Sequence, residues 1–151
     1  MINIRDKNFS DFNKEIFFGE IGAILGASIV SSITGHFTDS RTIIAQFAVV
    51  GAILGGITLF LFEKVKNKIR RKEPILKSII KDLEYFTPAA ILIAIFVWSP
   101  ILYNLTKYFV KIGWHSYLAG AIAELSAFLV FLVLINLYRF SLIKWFKKNL
   151  A

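Results

Sequence analysis

The chain has 151 residues, enough for one domain, and no cysteine, which excludes disulfides, thiolate metal sites and a cysteine nucleophile. Hydrophobic residues make up 56% and charged residues 19%, an apolar excess that a small soluble domain has little interior to hold. The net charge of +8 lies beside apolar stretches rather than among stacking aromatics on a polar face, so nucleic acid is not an expected partner.

In chain order, four stretches are long enough to cross a hydrocarbon layer as helices, which takes about 20 apolar residues. They are Ile16–Thr34, Thr42–Phe62, Tyr85–Tyr103 and Ser116–Tyr138. The predicted fold is an all-α membrane bundle of four transmembrane helices forming a single membrane domain over residues 1–151. The first stretch, about 19 residues with acids in its flanks and no small-residue cleavage site, reads as a retained span. Phe9, Phe12 and Ile16 before it suggest an approach along the membrane surface.

Orientation follows from Lys and Arg in the connections. The two terminal tails and the segment between spans two and three hold 15 of them, and the two remaining connections hold 3. The first side is expected in the cytoplasm, with both termini, and the protein in the cell membrane. Residues 63–84 between spans two and three are expected to lie at that surface. There the basic run from Lys64 to Lys72 precedes Pro74, and Leu76, Ile79, Ile80 and Leu83 recur at helical spacing. The expectation is a short basic amphipathic helix resting on anionic inner-leaflet lipids. Tyr138, Trp145 and Phe146 read as an aromatic belt.

The pentapeptide GAILG occurs at Gly22–Gly26 and again at Gly51–Gly55. Each copy is a GxxxG motif, whose missing side chains let helix backbones approach closely in lipid. Gly19, Gly22, Ala23, Gly26 and Ala27 share one face of the first helix. Ala45, Ala48, Ala52, Gly55 and Thr58 share a face of the second, and Ser116, Ala119, Gly120, Ala123 and Ala127 a face of the fourth. In the third span, Ser99–Pro100 removes a backbone donor and predicts a helix end or a kink near Val97.

Two carboxylates fall within the spans, and ionisable groups there default to functional candidates. Glu124 lies eight residues into the fourth span, about 12 Å below its start, on the face of Gly120 and Ala123. It needs a proton or a buried donor, for which Ser31, Gln46, Thr58 and Tyr103 are candidates. Glu20 lies four residues into the first span and is expected to snorkel toward Lys14 or Arg139. Counted from these span ends, the two carboxylates sit about 14 Å apart in depth, so no direct pair is expected. His36, Asp39 and His115 cluster in the remaining loops without the spacing of a metal motif, so neither a metal nor another cofactor is expected.

Glu20 in the first of four short helices resembles the small multidrug resistance exporters, whose first-helix Glu binds protons and cationic drugs. This chain is longer than those exporters and carries a second membrane Glu that their pattern lacks. Gly55-Gly56-Ile57-Thr58-Leu59-Phe60 is similar to the GGxTxF stretch of small fluoride channels, without the companion Asn and Arg motifs. Ile135–Phe140 resembles the end of GtrA-like proteins. Each likeness is confined to a few residues, and none implies a family for the chain.

Three functional classes follow. The several small-residue faces and the absence of a catalytic set make a non-catalytic accessory or assembly subunit of a larger membrane complex the first expectation. The alternative is a small homo-oligomeric transporter or channel using Glu124, with Glu20 as second candidate. A lipid-directed enzyme comes third, because only Glu20, His36, Asp39 and His115 offer it reactive groups; the chain is not expected to be an enzyme.

Overall fold

A computed structural model describes residues 7–72, 80 and 87–146. They form four helices with no strand among them: α1, Lys7–Phe37; α2, Arg41–Arg71; α3, Thr87–Lys111; and α4, Ser116–Phe146. Each contains a segment long and apolar enough to cross a membrane: Asn13–Phe37, Arg41–Arg70, Thr87–Lys111 and Ser116–Leu142. A helix suits such a solvent because every backbone N–H and C=O finds its partner within the segment.

The helices ring a common axis, α1 packing on α2 and α4, and α3 on α2 and α4. The α1–α2 turn is three residues long, with the Thr38 N–H on the Thr34 carbonyl and the Ser40 N–H on Thr38 Oγ1. The α3–α4 turn is held by Trp114, whose ring stacks on Phe109 at 4.7 Å. Gly113 in that turn has φ +90° and open space where a Cβ would be. Its constraint is therefore backbone alone. Gly113→Ala is expected to cost about 1–2 kcal/mol in a denaturation experiment, with no change in packing.

Large side chains point outward and small ones inward. Leu25, Ile29, Leu54, Ile57, Ile95, Phe96, Leu129 and Val133 are exposed, whereas Ala23, Ala27, Ala45, Ala48, Ala52, Ala119, Ala123 and Ala127 are buried. Lipid explains the inversion. Tails solvate large apolar groups as well as a core would, so association is driven by close backbone contact between small residues.

The two GAILG copies pack on each other, antiparallel. A methyl group at Gly22 would overlap the Gly55 carbonyl, one at Gly26 the Gly51 carbonyl, and the reverse holds from α2. Gly120 of α4 lies against Ala27 and Ser31 of α1. The two α1 contacts thus take up the glycines of all three small-residue faces. Thr58 belongs to none of them: it is exposed, and its hydroxyl bonds the Leu54 carbonyl of its own helix.

The helices outrun the expected spans at one end, called here the basic end, where α1 starts and α4 finishes. Residues 63–71 are not a surface segment but the last turns of α2, on which Glu63, Lys64, Asn67 and Lys68 are buried. Lys64 reaches Glu15 at 3.6 Å, and Asn67 donates to the same carboxylate at 3.3 Å. Glu63 takes Lys14 at 3.1 Å and Lys66 at 3.3 Å. Lys14 therefore serves Glu63 rather than Glu20. Ile16, expected at the surface, is buried in a core with Phe128, Ile135 and Leu142, against which Tyr138 also packs. α2 ends at Lys72, in the left-handed conformation with φ 54°. Of the expected amphipathic helix only Ile80, which is exposed, lies within the described residues. The side chains of Phe9, Phe12, Trp145 and Phe146 also lie outside them.

A buried carboxyl pair as candidate functional site

Pro100 has no N–H, so an unbroken α-helix through it would leave a carbonyl without its partner. The chain does not end there. Ala94–Trp98 opens into one π-helical turn, closed by the Ser99 N–H on the Ala94 carbonyl five residues back, and Ser99–Lys111 continues as α-helix. Such single wide turns recur at functional sites, where they rotate a side chain off the helical register. Here the turn carries Trp98, which is buried against Ala23, Ala27, Ala52, Leu102, Ala123 and Ala127.

The Trp98 indole N–H donates to Glu124 Oε1 at 3.0 Å. The Glu124 carboxyl lies close enough to that of Glu20 for the two to interact. Both residues are nearly sealed from the surface, at 1% and 5% exposure. Among the described residues no N–H or O–H reaches Glu20 Oε1 or Glu124 Oε2. Two carboxylates can only accept, so a proton held between them must come from one of the acids.

That contact corrects the expectation that the acids sit too far apart in depth. Ser31 meets Ser116 near one end of the α1–α4 contact, and Asn13 meets Asn136 near the other. Measured from those contacts, Glu20 and Glu124 differ in level by three to five residues, about 5–7 Å. Two extended glutamate side chains close such a gap. A count from the apolar spans overstates the distance because it sets Ile16 level with Tyr138, whereas the Asn13–Asn136 contact sets it level with Val133.

None of the four candidate donors to Glu124 from the sequence serves it. Ser31 donates to the Ser116 and Ser28 carbonyls, Thr58 to Leu54, and Gln46 is exposed. Tyr103 lies under the Lys107 ammonium at 5.6 Å. The true donor, Trp98, is absent from that set; its signal was an indole N–H inside an otherwise apolar span and directly before Ser99–Pro100. Of the three residues expected in loops, His36 lies in the last turn of α1 and packs edge-on to Phe37, and His115 stacks on Tyr117. Among the described residues no three His, Asp or Glu side chains gather as metal ligands would.

The geometry defines an all-α bundle of four helices, each able to cross a membrane, with an acid pair at its centre. Comparison with protein-family models, with curated proteins and with solved structures finds no match to this chain.

Proposed function

We propose that the protein is a small proton-handling membrane protein, a transporter or channel whose working group is the Glu20–Glu124 pair. The single observation carrying this is the burial of two neighbouring carboxyls, Glu20 and Glu124, inside membrane-spanning helices. A metal cation fits less well. An N–H donor is aimed at Glu124 Oε1, and the side chains around it are mainly alanines that offer no ligand oxygen. The basic end faces the cytoplasm in this reading, with the cell membrane as location and anionic inner-leaflet lipids against its lysines.

An accessory subunit was the first expectation, and it drew on three small-residue faces free to meet a partner. Gly22, Gly26, Gly51, Gly55 and Gly120 instead meet one another's helices within the chain. The motive for a partner is weaker for that reason, and the pair gives the chain a chemistry of its own.

The test is proton movement by the purified full chain in liposomes under an imposed gradient. The native protein is expected to conduct, and Glu124→Gln to lower the rate by a factor of about 100 or more while the helical content is retained. Native-rate conduction by Glu124→Gln would reject the reading. The mass of the particle after gentle extraction decides the competing class: a small particle of this chain alone supports transport, a large one with unrelated chains an accessory role.

A further inference from the structure

We infer that the basic end carries a binding site for one acidic phospholipid on the outer edge of the α1–α2 seam, with the lipid phosphate held between the Lys14 and Lys66 ammonium groups. This narrows a general attraction of anionic lipids to that end down to one site. It rests on the placement of the helices in a membrane and not on the Glu20–Glu124 pair, so it holds or fails separately from the proton reading.

The site is built around one buried acid. Glu63 is fully buried near the end of α2, and its two oxygens take different lysines. Oε1 lies 3.1 Å from Lys14 of α1, and Oε2 3.3 Å from Lys66 of its own helix. Both lysine side chains stay open to the surroundings, at 42% and 56% exposure. Both ammonium groups also stand over the Phe18 ring, 5.9 and 6.0 Å from its centre. One carboxylate and one ring thus hold two cations side by side. An ammonium has three donors, so each lysine keeps N–H groups for a further acceptor. Side chains already ordered in this way lose little more freedom on binding.

The charge is not balanced within the cluster. Two cations share one acid, and among the described residues no other acid pairs with either of them. The nearest in sequence, Glu15, serves Lys64 and Asn67 instead. One net positive charge remains at the surface, and a phosphate between the two ammonium groups neutralises it.

Depth selects the ligand. The spans of α1 and α2 run 25 and 30 residues. They are about 37 and 45 Å long against roughly 30 Å of hydrocarbon, so their ends reach into the headgroup layer. Lys14 is the second residue of its span, and Lys66 the fifth from the end of the other. Phosphates at that level are those of lipids, dense and already withdrawn from bulk water. Deeper in, the seam turns apolar. Phe62, one turn from Lys66 on the same face, is exposed, and Gly55 is only half-buried where the two backbones touch. That edge gives an acyl chain a shallow track leading away from the lysines. A zwitterionic lipid brings a cation with its phosphate, which the net charge of the cluster opposes, whereas an acidic lipid does not.

The test is native mass spectrometry of the purified full chain in non-ionic detergent, as phosphatidylglycerol or phosphatidylcholine of the same acyl chains is added. One phosphatidylglycerol is expected to stay on each chain, bound at least about tenfold more tightly than phosphatidylcholine. Lys14→Gln and Lys66→Gln are each expected to weaken phosphatidylglycerol about tenfold, since each removes a charge-assisted bond to the phosphate. Lys72→Gln removes the same charge from the same end, but about 9 Å further along α2 and off that face, and should change binding less than about twofold. Equal losses in Lys66→Gln and Lys72→Gln overturn the inference in favour of diffuse attraction, and equal binding of the two lipids overturns it outright. Displacement of the lipid by inorganic phosphate also overturns it, because the lysines would then hold a free anion. Should one of the two lysine variants at the site fail to fold, the other decides alone.

Discussion

Replacing Glu20 and Glu124 together by glutamine is expected to abolish proton movement and yet leave the protein as stable as the native chain, or more so. Both carboxyls are withdrawn from water, and a buried acid is costly unless its lone pairs and proton are all matched. Here neither Glu20 Oε1 nor Glu124 Oε2 receives a donor from the described residues. A glutamine pair keeps the shape, carries no charge, and joins amide N–H to amide C=O without a titratable proton. Trp98 can still donate, now to the amide oxygen that replaces the Glu124 carboxyl oxygen. Unfolding free energy is thus expected within about 1 kcal/mol of native, or above it. Flux is expected to vanish.

The split between the two readouts is what separates function from scaffolding. A pair that only ties α1 to α4 has no reason to carry acids, since amides tie helices as well. Were the acids purely structural, flux would be untouched by the double replacement, and any stability change in Glu20→Gln and Glu124→Gln would be non-additive because the two share one contact. A coupling energy of about 0.5–3 kcal/mol is the usual range for groups in one network. Destabilisation on that scale with flux untouched would assign the pair to packing. Infrared spectra supply an independent readout, because the carbonyl stretch of a protonated acid must be present in the native protein and absent from the double variant.

How far these residues were legible in the sequence depended on whether a signal was local. Four apolar runs read as four helices because hydropathy over twenty residues is local and lipid leaves the backbone no other choice. Their ends at the basic side escape such a reading for one reason. A charge ends a hydropathy window, but it does not end a helix when its counter-charge packs beside it, as Glu15 does for Lys64 and Lys14 for Glu63. Those partners come from different helices, 49 residues apart in each pair, and no periodicity announces them. The acid pair is hidden by register instead. Glu20 and Glu124 were each visible as a charge in an apolar span, whereas their meeting depends on the register of α1 against α4, set by Ser31 on Ser116 and Asn13 on Asn136. Pro100 illustrates an ambiguity of kind rather than of distance. A proline either ends a helix or is absorbed by a wide turn, and the neighbours of Trp98 decide which.

Gly26→Leu is expected to unfold the bundle, and the gradation among the glycines shows why. At Gly22, Gly26, Gly51 and Gly55 an added Cβ would overlap a backbone carbonyl of the facing helix, and a backbone cannot rotate aside as a side chain can. At Gly56 the nearest atoms, the Ala23 Cβ and the Gly19 carbonyl oxygen, would lie 3.4 Å away, an ordinary contact. Alanine at any of the first four should therefore cost about 1–3 kcal/mol by overpacking, and leucine at Gly26 should push α1 and α2 apart altogether. Gly56→Ala should be close to neutral. The effect must reach the functional pair, because α1 holds Glu20 on one face and the GAILG seam on the adjacent one. A shift of α1 off α2 displaces Glu20 from Glu124 before the chain unfolds. Thermal melts in detergent of the five alanine variants measure the order directly. Equal stability of Gly26→Ala and Gly56→Ala would mean that the two pentapeptides do not pack on each other. Loss of a partner protein by Gly26→Leu with the isolated chain still folded would return that face, and with it the accessory role, to consideration.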